Sequence, residues 1–164
     1  MLNEKEIAKF VNPFYANKDP MHNFSHILRI KRKVLILKKQ YQSLDRELLI
    51  FLIYFHGLKK WTIKNKKKVL EMGFNKKHIE SLTRKNDIPK KQEEKIVCDA
   101  NQLENVGKFG IKKALSLARY FKQTKKETAE LQKKFISKYK FYTPLGKELG
   151  KDGVRIKKDW LKSY

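Results

Sequence analysis

The 164-residue chain is poor in the residues that interrupt or staple a fold: one cysteine, four prolines and seven glycines. A lone Cys98 excludes an internal disulfide and a zinc site built from cysteines, and it points to a reducing, cytoplasmic compartment. So few breakers disfavour many short strands joined by turns and favour long helices. No long apolar run is present either. The longest, Leu48 to Phe55, is far shorter than the roughly 20 residues a membrane-spanning helix needs. The opening MLNEKEIAKFVNPF has no apolar core of the signal-peptide kind. Glycine-rich phosphate loops, internal repeats and low-complexity linkers are all missing, so residues 1–164 are read as one domain. Acidic residues are scarce as well, with 17 Asp and Glu against 40 Lys and Arg, a net charge of +23 and a pI of about 10.0. Such an excess is drawn to any polyanion. RNA or a ribonucleoprotein particle, such as the ribosome, is therefore the expected partner, and no membrane is.

What is present suits a helical core. Apolar residues make up 40% of the chain, with 10 Phe and 7 Tyr, enough to rule out a disordered chain. Asn3 to Val11 reads as a short opening helix stopped by Asn12-Pro13. Asp19-Pro20 is expected to start a longer helix to about Gln42, with Ile27, Ile30, Val34, Leu37 and Tyr41 as its apolar stripe. Ser43 is expected to cap a third helix, apolar on every side, ended by Gly57. Further helices are expected at about 64–71, 75–84, 90–105 (with Pro89 in its first turn), 111–123 and 125–139. A basic tail, about 145–164, follows. The reading is an all-α single compact domain of six to eight helices.

Four polar residues stand against apolar stripes. His22 and His26 lie four apart, hence on one helix face. His56 ends the central apolar helix in line with Leu49, Leu52 and Ile53. Asp99 shares a face with Ile96 and Leu103, where a carboxylate needs a partner. Two imidazoles and a carboxylate converging from three helices could hold Mn, Fe or Zn. Taken singly, each has a structural alternative: a histidine hydrogen-bonded in the core, or an aspartate that caps a neighbouring helix or pairs with Arg29 or a lysine.

Order and context add a resemblance. HNFSHILRI, residues 22–30, resembles the opening signature of HD-superfamily hydrolases, in which the second His is a metal ligand followed by Arg and an aliphatic. LLIFLIYFHGL, residues 48–58, is similar to the segment that ends in the His-Asp pair, with His56 in place and Gly57 where the acid belongs. VCDANQLENVGKFGI, residues 97–111, is similar to the last segment, where a ligand Asp precedes a Leu and a Gly-x-x-Gly-Ile turn. KFYTPLGKELG, residues 140–150, resembles the region after it. The resemblance covers about residues 20 to 150 and implies an HD-type phosphohydrolase fold. It implies His26, His56 and Asp99 as three of four metal ligands, with the bridging carboxylate lost at Gly57. Asn101 and Glu104 stand where further acids are common. LTRKND, residues 82–87, offers no counterpart to a histidine of that region, and His78 is misplaced for it.

Ester hydrolysis of this kind needs a cation to polarise the phosphoryl oxygen and acidify a water. With a carboxylate gone and lysines in surplus, the expected function is that of a degenerate, non-catalytic HD-fold protein acting as a basic RNA-binding component, with no cofactor. The alternative is a metal-dependent phosphohydrolase acting on nucleotides or phosphate esters. There a single divalent Mn, Fe or Zn sits on His26, His56 and Asp99, and His22 and Arg29 face the phosphate. A third possibility keeps a nucleotide in the former pocket without turnover. For nucleic acid, the densest basic cluster is Lys59, Lys60, Lys64, Lys66, Lys67 and Lys68 around Trp61. Arg155, Lys157 and Lys158 add to it from the tail. Lysines neutralise phosphates without reading sequence, and an aromatic can stack on an unpaired base.

Overall fold

The structure is a computed structural model, and it describes residues 3–84 and 87–164. Part of LTRKND therefore lies outside the described residues. The described residues form ten α-helices and two short 3-10 turns, and no strand. None of the helices is long and apolar enough to cross a membrane.

Helix α1 (Glu4–Val11) opens on a capping box, in which Asn3 and Glu6 each satisfy the other's backbone N–H. Helix α2 (Phe24–Leu37) is shorter than the stripe suggests. Asp19 does not begin it. Its Oδ1 accepts from the backbone N–H groups of Met21 and His22, closing a separate turn, and Asn23 is the cap. At the other end a 3-10 turn, Lys38–Gln40, stops the helix before Tyr41.

Helix α3 (Arg46–Tyr54) is capped by Asp45 rather than Ser43, through the N–H of Leu48. It is the buried centre: Leu48, Leu49, Phe51, Leu52, Ile53 and Tyr54 are all buried. Phe51 stacks on Phe55 at 4.7 Å between ring centroids and meets Phe74 at 4.7 Å. Truncating such a ring to alanine costs about 3–5 kcal/mol.

Residues 59–71, where a single helix at about 64–71 is expected, form two short helices, α4 (Lys59–Lys64) and α5 (Lys66–Glu71), broken at Asn65. Then come α6 (Lys76–Arg84), α7 (Gln92–Leu103), α8 (Gly107–Tyr120) and α9 (Lys125–Ile136). Pro89 lies outside α7, three residues before its start. The expected basic tail is no tail. Pro144–Leu161 is the longest helix, α10, with Thr143 as its cap and Pro144 at its first turn. It packs on α7, α8 and α9. The contact with α8 is close because a Cβ at Gly153 would come within 2.6 Å of Val106 Cγ2. Gly107, at φ +66, supplies the left-handed turn before α8.

Two extra helices, α4 and α10, account for the excess over the expected six to eight. Both were hidden by lysines that obscure the apolar periodicity.

Candidate functional site

Tyr15, the turn before α2, the end of α3 and one face of α7 and α8 enclose a cavity of about 230 Å³. His26 enters from the first turn of α2 and is buried. His22 precedes that helix, in the turn closed by Asp19, and its Nδ1 lies 2.8 Å from Asp19 Oδ2. His56 sits in the turn after α3. The three rings form a row, with centroids of His22 and His26 at 5.5 Å and of His26 and His56 at 5.6 Å, each pair edge-on. His22 and His26 therefore meet across a turn, not on one helix face. Burial pulls His26 below its ordinary pKa, and Glu104 beside it offsets this only in part.

The space beside Gly57 is taken by a lysine. Lys18 Nζ donates to the Gly57 carbonyl at 2.7 Å, and a Cβ at position 57 would stand 2.7 Å from that nitrogen and 3.1 Å from Tyr15 Cε1. The Tyr15 hydroxyl donates to the Tyr54 carbonyl (2.9 Å) and accepts from the Gly57 N–H (3.2 Å), which fixes the turn. Burial pushes that phenol well up. Lys113, on α8, lines the opposite wall and donates to Asn105 Oδ1 at 2.9 Å. Burial lowers its pKa to about 8. The cavity is thus faced by two lysines, three histidines and the amides of Asn101 and Asn105, with no carboxylate in its lining.

Asp99 is elsewhere. Its Oδ1 accepts from the Tyr142 N–H at 2.9 Å, and its Oδ2 accepts from the Thr143 N–H at 2.7 Å and the Thr143 hydroxyl at 2.6 Å. It anchors the start of α10, as a capping aspartate would, and any Cβ at Gly146 would overlap it. Residues two apart on a helix point about 200° apart. With Asp99 turned to Thr143, it is Asn101 that faces the histidines, and it carries no charge. Burial raises the Asp99 pKa, only partly offset by the Thr143 and Tyr142 hydrogen bonds.

Arg29 does not face the cavity either. Its Nε donates to Glu104 Oε2 (2.7 Å) and its Nη1 to Ser25 Oγ (2.8 Å), while the guanidinium lies over the Phe109 ring. Glu104 is fully buried and also accepts from Lys33 at 2.7 Å. Burial opposes its ionisation, but His26, Arg29 and Lys33 outweigh that and hold it at about 2. His26 Nδ1 stands 3.6 Å from Glu104 Oε2, near enough to act on the carboxylate electrostatically but longer than an ordinary hydrogen bond. Among the described residues, no three His, Cys, Asp or Glu side chains gather so as to hold a metal ion. The donor set does not fit the divalent metal that the resemblance implies.

The residues expected to meet nucleic acid divide. Lys60, Lys64, Lys66, Lys67 and Lys68 are exposed on α4 and α5, and Arg155 and Lys158 are exposed on α10. Lys59 is half-buried and donates to the Thr83 carbonyl. Trp61 is half-buried and packed against Phe10, Phe14 and Phe55, with centroids 4.9 to 6.2 Å away, so most of its contacts are with the core. Lys157 is buried. It donates to the Asn105 carbonyl (2.7 Å), Gln132 Oε1 (2.6 Å) and the Tyr139 hydroxyl (3.1 Å), and burial lowers its pKa to about 8. Lys18 and Lys113 went unnoticed in the sequence, because in a chain so rich in lysine no single one stands out.

No protein-family model matches the chain, and no curated protein matches it in sequence. Solved structures do match in shape. A protein from Lactobacillus plantarum superposes with a TM-score of 0.76 at 14% identity, over 99% of this chain and 96% of that one. An HD-superfamily hydrolase from Bacillus thuringiensis superposes with a TM-score of 0.65 at 14% identity, over 98% and 93%. The fold is of the HD type. Bacillus subtilis YpgQ, solved in complex with ADP, superposes with a TM-score of 0.67 at 14% identity, over 98% and 95%. Identities this low establish the HD-type architecture that the motifs implied, and nothing finer.

Proposed function

We propose that this HD-fold protein is non-catalytic and serves as a basic RNA-binding component of a cytoplasmic ribonucleoprotein particle such as the ribosome. The observation that carries the first half is the ammonium of Lys18 in the place beside Gly57. A cation there repels a dication and supplies no ligand, while Asn101 and Asn105 offer no charge to balance one. The net charge of +23 supports the second half. The exposed lysines of α4 and α5 are spread as a phosphate-contacting surface would be.

A second reading concerns the cavity itself. Two lysines and three histidines around about 230 Å³ suit a phosphate group, and YpgQ, a structural neighbour, holds ADP. In this reading the cavity retains a nucleotide phosphate without hydrolysing it.

The test begins with metal content after purification through high salt and incubation with Mn, Fe, Zn or Mg. Sub-stoichiometric metal and no phosphate release from nucleotides are expected. Stoichiometric metal that disappears in His56→Ala, together with turnover, would restore the hydrolase. RNA binding is read separately, as co-sedimentation with RNA at low salt that is released as salt rises. Free migration at low salt would remove that half of the reading.

A further inference from the structure

A groove that shares no residue with the histidine cavity lies between the end of α9 and one face of α10, with a volume of about 740 Å³. Its long wall is a single row of cations: Lys147, Lys151, Arg155, Lys158 and Lys162, all exposed. The steps between them are four, four, three and four residues, which keeps all five on one side of the helix. At about 1.5 Å per residue, each four-residue step advances about 6 Å. That is the scale of the phosphate repeat along an extended nucleic-acid strand. Three acids share this helix, Glu148, Asp152 and Asp159, and Asp159 also lines the groove. Asp152 pairs with Arg155 at 3.4 Å and Asp159 with Lys162 at 2.8 Å. Both pairs are well exposed and therefore weak.

The groove also has an aromatic on its other side. Phe141 is half-buried and lies flat on α10 at Gly150, where any Cβ would run into its ring. The glycine is thus a condition for placing that ring in the groove. Trp61, the aromatic that the sequence offers first, is half-buried against Phe10, Phe14 and Phe55 and lines no part of this groove. The row and the ring together make a cationic ridge beside a stacking surface, the combination that binds single strands with little sequence preference.

We infer that this groove is the path of a single RNA strand, with successive phosphates on Lys147 to Lys162 and a base against Phe141. The inference rests on the RNA-binding reading above and assigns it to one face. A short duplex would present its phosphates on two diverging strands and leave Phe141 without a base.

The test is fluorescence anisotropy of a labelled oligouridylate against salt, with the full chain. Reversing Lys151, Arg155 and Lys158 to Glu is expected to weaken binding at least ten-fold and to flatten the slope of log K on log salt by about 2. Reversing Lys5, Lys76 and Lys77, which are exposed and belong to neither lysine cluster, makes the same change in net charge and is expected to have a much smaller effect. Phe141→Leu keeps an apolar contact on Gly150 but loses the flat face, and a loss of about five-fold or more is expected. Thermal melts establish that each variant is folded, and Lys→Gln versions serve if a reversal is not. Equal losses in the two reversal variants would overturn the groove while leaving RNA binding in place. Unaltered affinity in Phe141→Leu would overturn the base contact. No binding by the unmodified protein, or preference for anionic phosphatidylserine vesicles over the oligonucleotide, would overturn both the groove and the RNA-binding reading.

Discussion

Lys18 and Gly57 replace one another: the lysine's ammonium donates to the glycine's carbonyl at 2.7 Å and stands where any side chain at position 57 would begin. The glycine is there for space, since its backbone is not in the left-handed region. A side chain at position 57 would have to displace the Lys18 ammonium and press on the Tyr15 ring.

Restoring the acid alone should fail. Gly57→Asp is expected to pair with Lys18 and to bind no Mn by isothermal titration. The triple variant Lys18→Ala, Gly57→Asp, Asn101→Asp gathers two carboxylates beside His26 and His56 and is expected to bind Mn at least about ten-fold more tightly. If the single variant binds as tightly as the triple, Lys18 is not what excludes the metal.

Glu104 should dominate the acid limb of stability. Its pKa falls from about 4.5 free to about 2 folded, with burial opposing and His26, Arg29 and Lys33 prevailing. A depressed carboxylate contributes stability that is present above the unfolded value and lost as pH falls through the folded one. Urea midpoints are therefore expected to drop steeply between about pH 4.5 and 2, with a share of about 3 kcal/mol from this group. Glu104→Gln should be less stable at pH 7 and should flatten that limb. An unchanged limb would mean the acid sensitivity lies elsewhere.

Asp99→Ala should loosen one end of one helix. It leaves the N–H groups of Tyr142 and Thr143 without their acceptor in a buried place, at a cost of about 2–4 kcal/mol. Hydrogen exchange should quicken first in α10. Phosphate affinity of the cavity, measured where the variant is folded, should hold within about two-fold, because Asp99 does not line it. A large loss of phosphate affinity would return Asp99 to the site.

Trp61→Ala separates core from surface. The ring packs on Phe10, Phe14 and Phe55, so a loss of about 2 kcal/mol in stability is expected. Oligonucleotide affinity should be unchanged below the variant's melting temperature. A stable variant with weakened affinity would make Trp61 a contact.

Much of this was legible in the sequence. The apolar run of α3 announced the core, and the resemblance of HNFSHILRI and YFHG to HD-superfamily segments implied the fold in which His26 and His56 come together. Asp99 was misassigned because periodicity gives the face of a residue but not its partner. Asn101, two positions on, reaches the cavity, and only the packing of residue 143 decides between them. Lys18 and Lys113 left no signal, since burial of a lysine is set by tertiary contacts and not by spacing. The same blindness turned α10 into a tail: Lys157, read as surface, is buried under three acceptors.

That helix also sets when the chain can fold. Gln40 accepts from the Leu145 N–H, Asp99 from Thr143, and the Asn105 carbonyl from Lys157. All three bridges span long stretches of sequence, and each joins an earlier segment to the last quarter of the described residues. These bridges form only once that segment has left the ribosomal tunnel, so the docking of α10 completes the fold after α1 to α9 have been synthesised.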